Sequence, residues 1–223
     1  SHDMRTPLNG IVGFTRLAAQ AVTLDKAREY IEKIRLSGKV LLDLINDTLQ
    51  FSKLEQGKFL LSPQPIDKAE LVREVATPIR MIAEERQVRF FVDMSHMKEE
   101  RVLADVLNTQ KIFLNILSNA VKFTPPGGTV SLTVESIPTE PDGINTKDIV
   151  RDTGLGISEE FLPRVYEPFS QECRAGTTLL AGSGLGLSIV RQLVDLMQGR
   201  IAIRSRRGEG TEVTVWLSFP PAP

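Results

Sequence analysis

The sequence predicts a helical hairpin followed by an α+β sandwich. Residues 1–57 contain one proline and apolar residues at helical spacing, whereas the prolines of Leu61-Ser-Pro-Gln-Pro65 mark a domain boundary or an entering edge strand. Beyond them, helical and strand patterns mix without the regular alternation of a doubly wound sheet. We therefore expect two domains, a helical hairpin over residues 1–60 and a mixed domain over residues 61–223.

In the first domain the apolar spacing predicts two helices. The first repeats its positions by fours and threes, as helices of a bundle do (Met4, Leu8, Ile11, Thr15 and Ala18). Asp25 is a candidate N-cap for the second helix, and Gly57 suits its C-terminal stop. One hairpin buries too little apolar surface alone, so we expect a homodimer in which two hairpins form a four-helix bundle.

The second domain is predicted to contain helices over residues 66–86, 109–123 and 187–197, with Pro78 a kink or break in the first. Alternating or short apolar runs predict strands over residues 88–94, 130–134 and 148–151. Residues 200–204 and 211–217 are expected to form a terminal hairpin.

The composition is that of a globular chain and excludes several classes of function. Of the 223 residues 41% are hydrophobic and 25% charged, and 27 Lys and Arg nearly balance 28 Asp and Glu, which argues against a nucleic-acid-binding surface. A single cysteine, Cys173, fits a reducing, cytoplasmic compartment. No apolar run reaches the roughly 18 residues of a membrane span, so we expect no membrane contact by this segment, although the full-length protein can be membrane-anchored.

The predicted helix over residues 109–123 carries polar residues on one face. Asn115 and Asn119 are four residues apart and Lys122 follows three later, so the three side chains share that face. Amide oxygens are suitable ligands for hydrated Mg²⁺, and a lysine can neutralise phosphate oxygens. Asparagine pairs are also common on helix surfaces, so this pattern alone leaves the function open.

Two glycine-rich segments suggest a nucleotide pocket. Asp152-Thr-Gly-Leu-Gly156 follows a predicted strand, where a buried carboxylate can accept a hydrogen bond from an exocyclic amine and glycines allow close approach of a base. Gly182-Ser-Gly-Leu-Gly186 enters a predicted helix, whose N-terminal amides can bind phosphate. Each pattern is weak alone, and the second lacks the lysine and the strand of a P-loop.

His2 is the candidate nucleophile. Asp3 follows it and can hold the proton of one ring nitrogen, while a neutral imidazole leaves the other nitrogen free to attack. A lone histidine is more often a surface or core residue, and His96 is expected to be a surface loop residue.

Five motifs follow one another along the chain. They are His-Asp-x-Arg-Thr-Pro-Leu from residue 2, Asn-x-x-x-Asn-Ala-x-Lys-Phe-Thr from 115, Asp-Thr-Gly-x-Gly-Ile from 152, Pro-Phe-Ser-Gln from 168 and Gly-x-Gly-Leu-Gly-Leu from 182. In this order they strongly resemble the sensor histidine kinases of two-component systems, hybrid kinases most of all, over the whole chain. The resemblance implies a phosphoacceptor hairpin followed by an ATP-binding domain of the histidine kinase/gyrase ATPase type.

The resemblance also implies residue roles. His2 would accept the γ-phosphoryl group of ATP, Asp3 would act as general base, and Thr6 would position water in a phosphatase reaction. Asn119 would be the main Mg²⁺ ligand, Asp152 would bind adenine, and Arg164 would reach the γ-phosphate from the segment that also holds Phe161. The implied nucleotide site comprises Asn115, Asn119, Lys122, Phe123, Asp152, Gly154, Gly156, Arg164, Phe169, Gly182, Gly184, Leu185 and Gly186, with residues 170–183 as a lid.

Three functions remain open at this point. The first is an ATP- and Mg²⁺-dependent protein-histidine kinase that passes its phosphoryl group to an aspartate on the receiver domain of a response regulator. The second is an ATPase of the same fold that drives a conformational change, and the third is a degenerate kinase that acts as a dimerising scaffold. The His2 motif argues against the second, and the intact Asn119, Asp152 and glycines argue against the third.

Overall fold

The computed structural model describes residues 2–57, 60–98, 100–139, 141, 143–172 and 184–223. It divides into two compact units, Ser1–Gly57 and Lys58–Pro223. Within the described residues, none of the helices combines the length and the apolar character needed to cross a membrane.

The first unit is an antiparallel pair of helices, α1 (His2–Ala19) and α2 (Leu24–Glu55). The N-cap of α2 is Thr23 rather than the expected Asp25: the Thr23 side chain accepts a hydrogen bond from the backbone amide of Lys26, while Asp25 lies in the first turn. Gly57, just after the helix, has a φ of 62°, which ends α2 in the left-handed conformation that glycine adopts without strain.

The two helices leave much of their apolar surface uncovered. Phe14 of α1 and Tyr30 of α2 stack with their ring centroids 6.3 Å apart, and Leu44 is the buried hydrophobic residue of α2. Large apolar side chains elsewhere on the hairpin remain exposed, among them Leu8, Val12, Ile31, Val40, Leu42, Ile45 and Leu49. Exposed apolar stripes of this extent mark an interaction surface.

The second unit is built on a five-stranded mixed sheet. Its strands are β2 (Arg89–His96), β4 (Thr129–Ser136), β5 (Thr146–Asp152), β6 (Arg200–Arg206) and β7 (Gly210–Leu217), in the order β2-β4-β5-β7-β6. β2 and β4 are parallel, and the other neighbours are antiparallel. β1 (Gln64–Asp67) and β3 (Arg101–Ala104) form a separate antiparallel pair.

Three helices cover the inner face of the sheet: α3 (Lys68–Glu85), α4 (Val106–Phe123) and α5 (Gly186–Leu196). Their apolar residues pack against the inward residues of the strands and form one core, which includes Ile79, Ile112, Leu117, Val130, Val150, Ile189 and Val215, each no more than 1% exposed. A 3₁₀ turn at Leu162–Arg164 precedes α5. The predicted fold class, a helical hairpin followed by an α+β sandwich, is confirmed.

Carboxylates fix where α3 and α4 begin. The side chain of Asp67 accepts hydrogen bonds from the amides of Ala69 and Glu70. Asp105, which is buried, accepts from the amides of Asn108 and Ser62 and so ties the start of α4 to the segment that enters the domain. Both follow the usual chemistry of helix N-caps, in which a side-chain oxygen satisfies amides that have no partner within the helix.

In the second unit the elements differ from the sequence predictions chiefly at four points. Residues 64–67 form the entering strand, so the following helix begins at Lys68 rather than at residue 66. His96, expected in a surface loop, is an exposed residue at the end of β2. That helix runs through Pro78 without a break. The strand β3 was not predicted, because a four-residue run pairing with β1 gives no periodic signal of its own.

Candidate functional site

The side chains of Asn115, Asn119 and Lys122 share one face of α4, as predicted. Asn115 and Asn119 are half-buried, and within the described residues no hydrogen bond engages the side chain of Asn119. The Asn115 side chain donates from Nδ2 to the carbonyl oxygen of Lys111 at 3.0 Å. A Cβ on residue 186 would lie 3.0 Å from Asn115 Oδ1, so this amide oxygen packs against the first residue of α5. The asparagine face of α4 and the N-terminus of α5 therefore meet.

The last turn of α4 holds a cation that is partly removed from water. Burial lowers the pKa of Lys122, and the charge of Arg86 lowers it further. Arg86 also donates a hydrogen bond to the carbonyl oxygen of Lys122 at 3.4 Å. The ammonium group lies 5.0 Å from the centroid of the Phe123 ring, which is 38% exposed. A partly desolvated lysine beside an exposed arginine favours an anionic ligand.

Asp152 lies where β5 ends and the chain turns. Its Oδ1 accepts hydrogen bonds from the amides of Gly154, at 2.8 Å, and Thr211, at 3.2 Å. Burial raises the pKa of Asp152, and these two hydrogen bonds partly oppose the increase. Because both bonds use Oδ1, the second carboxylate oxygen is the atom available to accept a hydrogen bond from a ligand.

The turn after Asp152 lies against the end of α4. The amide of Leu155 donates to the carbonyl oxygen of Phe123 at 3.1 Å, and a Cβ on residue 154 would lie 2.6 Å from the same oxygen. Only glycine fits so close to a backbone carbonyl, which explains Gly154. Gly156 lies similarly close to the carbonyl oxygen of Arg206. The two motifs are thus joined through their backbones.

Among the residues that the structure describes, no side chain caps the N-terminus of α5. Its N-cap, Leu185, is fully buried and makes no capping hydrogen bond with its side chain. Gly184, one residue earlier, has a φ of 68° and accepts a hydrogen bond from the amide of Phe169 at 3.1 Å. The first amides of a helix can bind anions, so Gly184, Leu185 and Gly186 lie where the prediction places a phosphate. Gly182 and the lid residues 173–183 lie outside the described residues.

The position of Arg164 gives less direct support for its predicted role at the γ-phosphate. It lies in the 3₁₀ turn, is exposed, and pairs with Glu167 through Nε and Oε2 at 2.9 Å. Phe161 immediately precedes the same turn. The contact between Arg164 and a γ-phosphate would require this ion pair to open, and it stays a prediction.

The residues predicted to act at the phosphoacceptor lie in the first turns of α1. His2 and Asp3 begin the helix, and Thr6 is exposed one turn after His2. Residues four apart share a helix face, so the backbone places positions 2 and 6 on the same side of α1.

One residue of the site was missed by sequence reasoning. Thr211, whose amide holds Asp152, is 59 residues further along the chain and is brought there by the antiparallel register of β5 and β7. Gly210 precedes it, and a Cβ there would lie 2.0 Å from the carbonyl oxygen of Asp152. The Gly-Glu-Gly run before the last strand was the available signal for this close approach.

Two family models match the chain. Residues 104–221 match "Histidine kinase-, DNA gyrase B-, and HSP90-like ATPase", and residues 1–57 match "His Kinase A (phospho-acceptor) domain". The first model covers the whole region that contains the asparagine face of α4, the Asp152 turn and the start of α5.

Known proteins resemble the chain over nearly its full length. The autoinducer 2 sensor kinase/phosphatase LuxQ of Vibrio parahaemolyticus is 37% identical over 97% of this chain, and the signal transduction histidine-protein kinase BarA of Escherichia coli is 34% identical over 97%. The chain spans about a quarter of the length of these relatives, 25% and 23%. The crystal structure of full-length ShkA in complex with AMPPNP superposes with a TM-score of 0.74 at 33% identity, covering 99% of this chain and 45% of that one.

Proposed function

Because this chain belongs to the histidine kinases and forms their transmitter core, we propose that it transfers the γ-phosphoryl group of ATP to His2 and from there to an aspartate of a response regulator. The observation that carries the proposal is the convergence of three motifs in the second unit. Asn115 contacts Gly186, and the turn after Asp152 is hydrogen-bonded to Phe123. These two contacts support a single nucleotide site formed by Asp152, the asparagine face of α4 and the N-terminus of α5.

Asp152 is proposed to bind adenine. With Oδ1 occupied by Gly154 and Thr211, its second oxygen accepts a hydrogen bond from the exocyclic amine of the base. Gly154 and Gly156 have no side chain to obstruct the base, and the half-exposed Phe123 ring offers it an apolar face. Asp152 would therefore be the residue that favours adenine over a purine that carries a carbonyl at the same position.

The phosphates are proposed to lie between α4 and the start of α5. The backbone amides at the start of α5, from Gly186 onward, bind phosphate oxygens, and Lys122 contributes positive charge from the end of α4. Arg164 would add a second cation at the γ-phosphate once it leaves Glu167. Gly184, which hydrogen-bonds Phe169, sets the backbone that leads into this N-terminus.

The amide oxygens on α4 fit Mg²⁺. Asn119 is half-buried and its side chain has no hydrogen bond to the described residues, and the Oδ1 atom of Asn115 lies on the same face one turn earlier. Neutral oxygen ligands such as these are compatible with a magnesium ion that keeps waters and shares phosphate oxygens. Asn119 would be the principal ligand and Asn115 its neighbour. When bound, the ion neutralises charge on the phosphate oxygens during transfer.

His2 is proposed to be the nucleophile. One imidazole nitrogen forms a bond to the γ-phosphorus while the bond from that phosphorus to the bridging oxygen breaks, and the electron pair leaves with ADP. Asp3 accepts the proton that the phosphorylated ring no longer holds firmly. In the second step the phosphorus–nitrogen bond breaks as a carboxylate oxygen of the response regulator bonds to the phosphorus. Thr6, one turn from His2, is proposed to orient water when the same site dephosphorylates the regulator.

A homodimer is proposed for the first unit. The exposed apolar stripe of α1 and α2 is what a second hairpin would bury in a four-helix bundle. The receiver domain of a response regulator is the proposed partner for phosphoryl transfer, since phosphohistidine is the donor of this family and the chain offers His2 at the start of α1.

The test uses γ-labelled ATP with Mg²⁺. The chain has two histidines, so His96→Gln is a matched control for His2→Gln. We expect wild type and His96→Gln to retain acid-labile, alkali-stable label on the protein, and His2→Gln to retain none. Release of free phosphate without labelled protein would instead identify an ATPase, and the absence of both would identify a scaffold.

A further inference from the structure

The end of the described chain is tied back onto the second unit as a C-terminal strap, residues 218–222. Within it the carbonyl oxygen of Pro220 accepts a hydrogen bond from the amide of Leu103 at 2.8 Å, and the amide of Ala222 donates to the carbonyl oxygen of Arg101 at 2.9 Å. The strap therefore pairs with β3, which pairs with β1 as well.

Asn145 holds the strap at a second place. Its Nδ2 donates to the carbonyl oxygen of Phe219 at 2.7 Å, and its Oδ1 accepts from the Phe219 amide at 2.9 Å. This pair of bonds fixes the backbone of Phe219 and turns its ring inward, where it is 4% exposed. Phe219 is thus the part of the strap that enters the core.

The Phe219 ring lines a cavity that contains polar groups. The cavity volume is about 30 Å³, enough for one or two water molecules. Its polar lining is Lys68, Thr109 and Asp148, which are 3%, 1% and 5% exposed. Within the described residues the Thr109 hydroxyl has no hydrogen-bond partner. The rest of the lining is apolar, so these groups are shielded from solvent by the strap and the surrounding core.

The ionisable groups of this cavity are strongly perturbed. Burial raises the pKa of Asp148 to about 7, against the opposing charge of Lys68 and a hydrogen bond from Thr146, and Glu135 of β4 raises it slightly. Burial lowers the pKa of Lys68, which donates to Ser136 at 2.9 Å. The other charges acting on Lys68 are Glu100 and Lys98, from the segment between β2 and β3. α4 and the strap contribute no charge to the lining.

We propose that this cavity is a protonation switch for the C-terminal strap: protonated Asp148 favours a seated Phe219, and ionised Asp148 favours a lifted one. Lifting the ring admits water to the cavity and removes the desolvation that disfavours the carboxylate. The proposal concerns the strap and does not depend on the kinase activity.

The direction with pH follows from proton binding. Between the ordinary aspartate pKa of about 3.9 and the value of about 7 in the seated state, the seated state holds more protons than the lifted one. Raising the pH through this window therefore favours lifting. At alkaline pH the titration of Lys68 has the opposite effect on the strap. The pKa of Lys68 is lowered in the seated state, so loss of its proton favours a seated Phe219.

The test is hydrogen exchange of the whole 223-residue chain. The reporters are the amide of Leu103, which donates to Pro220 of the strap, and the amide of Ala222, which donates from the strap to Arg101 of β3. The reference amides are those of the β5–β7 ladder. Protection factors are compared, because they remove the pH dependence of intrinsic hydrogen exchange. Between pH 5 and pH 8 we expect the protection factors of the reporter amides to fall by at least about tenfold relative to those of the reference amides.

Two variants distinguish a pH-dependent switch from a general weakening of the contacts that hold the strap. Asp148→Asn removes the titrating group, so reporter protection should become independent of pH over the same range. Asn145→Ala removes the clamp on Phe219 and should lower protection by the same factor at every pH, with the pH dependence retained. A reporter protection in wild type that does not change with pH would overturn the proposal, as would an unchanged pH dependence in Asp148→Asn.

A reciprocal measurement covers the case in which Asp148→Asn fails to fold. Coupling between the strap and Asp148 must act in both directions. The carboxyl carbon of Asp148, followed by NMR, should titrate near neutral pH in wild type and at least about one pH unit lower in Phe219→Ala. An Asp148 that titrates in its ordinary range in wild type, or one whose titration Phe219→Ala leaves unchanged, would refute the switch.

Discussion

The amide of Phe169 donates a hydrogen bond to the carbonyl oxygen of Gly184 at 3.1 Å, and both residues have a left-handed backbone, with φ of 62° and 68°. This contact joins the segment before the lid to the residues that enter α5. It brings the two backbones so close that a Cβ on residue 184 would lie 2.8 Å from the carbonyl carbon of Phe169. The orientation of the α5 N-terminus therefore depends on a glycine at this position.

Gly184→Ala is expected to weaken ATP binding by about tenfold or more, because the new methyl group displaces Phe169 and tilts the phosphate-binding amides. Left-handed backbone adds about 1–2 kcal/mol of strain for alanine. Isothermal titration calorimetry gives the affinity, and denaturant unfolding gives the stability.

The control for that substitution is Gly127→Ala, which has a φ of 85° but nothing within 4 Å of its added Cβ. It carries the strain without the clash, so it should lower the free energy of unfolding while leaving ATP affinity unchanged. Equal losses of ATP affinity in the two variants would mean that strain alone, and not the contact with Phe169, explains the effect.

Asp152→Asn is expected to change the base preference. The asparagine oxygen can still accept from Gly154 and Thr211, so the turn should keep its shape and the protein its stability. The amide nitrogen would then face the adenine amine, donor against donor, which leaves both groups unpaired and costs about 1–3 kcal/mol. We expect ATP affinity to fall by at least about tenfold, and the affinity for inosine triphosphate, whose base carries a carbonyl there, to rise.

Competition binding of the two nucleotides to wild type and Asp152→Asn measures this exchange. Thr211→Ala is a suitable control, because it alters the side chain of the neighbouring residue while its amide still donates to Asp152. If Asp152→Asn bound ATP and inosine triphosphate in the wild-type ratio, Asp152 would not be the adenine-binding group.

Asp152 also shows what sequence reasoning can and cannot predict. A short apolar run followed by glycines places an aspartate at a strand end, because both signals are local. The second amide on that carboxylate, from Thr211, depends on the register of two strands 59 residues apart, and no local pattern encodes a register. The Asn115 contact with Gly186 was likewise out of reach, since it requires the packing of α4 against α5.

The helical hairpin shows the same limit on what the sequence can predict. Its two helices follow from apolar periodicity, and Gly57 marks the end of α2. Thr23 and Asp25 are both good N-cap residues. Residue type therefore does not decide between them, and the cap is set by the residue at which the backbone becomes helical, which is Leu24. Strand β3 has no periodicity to detect in four residues, and its pairing with β1 and the strap is what stabilises it.

Leu42→Glu is expected to convert the proposed dimer to a monomer. Leu42 is 57% exposed on the apolar stripe of α2, and burying a leucine side chain contributes about 1.5–3 kcal/mol in each subunit. A glutamate there would also bury a charge without a partner. Asp43→Lys changes the exposed side chain of the next residue, which lies about 100° further around the helix, and should leave the dimer intact. Analytical ultracentrifugation distinguishes the two results, and a wild-type monomer, or a dimeric Leu42→Glu variant, would contradict the prediction.

Asn119→Ala is expected to remove the magnesium-dependent part of ATP affinity. In wild type, chelation of Mg²⁺ by EDTA should weaken ATP binding if the ion links Asn119 to the phosphates as proposed. In Asn119→Ala binding should be weaker by about 10–100-fold with Mg²⁺ present, and EDTA should then have little further effect, since the ion and the side chain act together. Ser118→Ala is the control, because that hydroxyl bonds the carbonyl oxygen of Asn115 within the helix. If EDTA weakened ATP binding equally in wild type and Asn119→Ala, the two losses would be additive and Asn119 could not be the magnesium ligand.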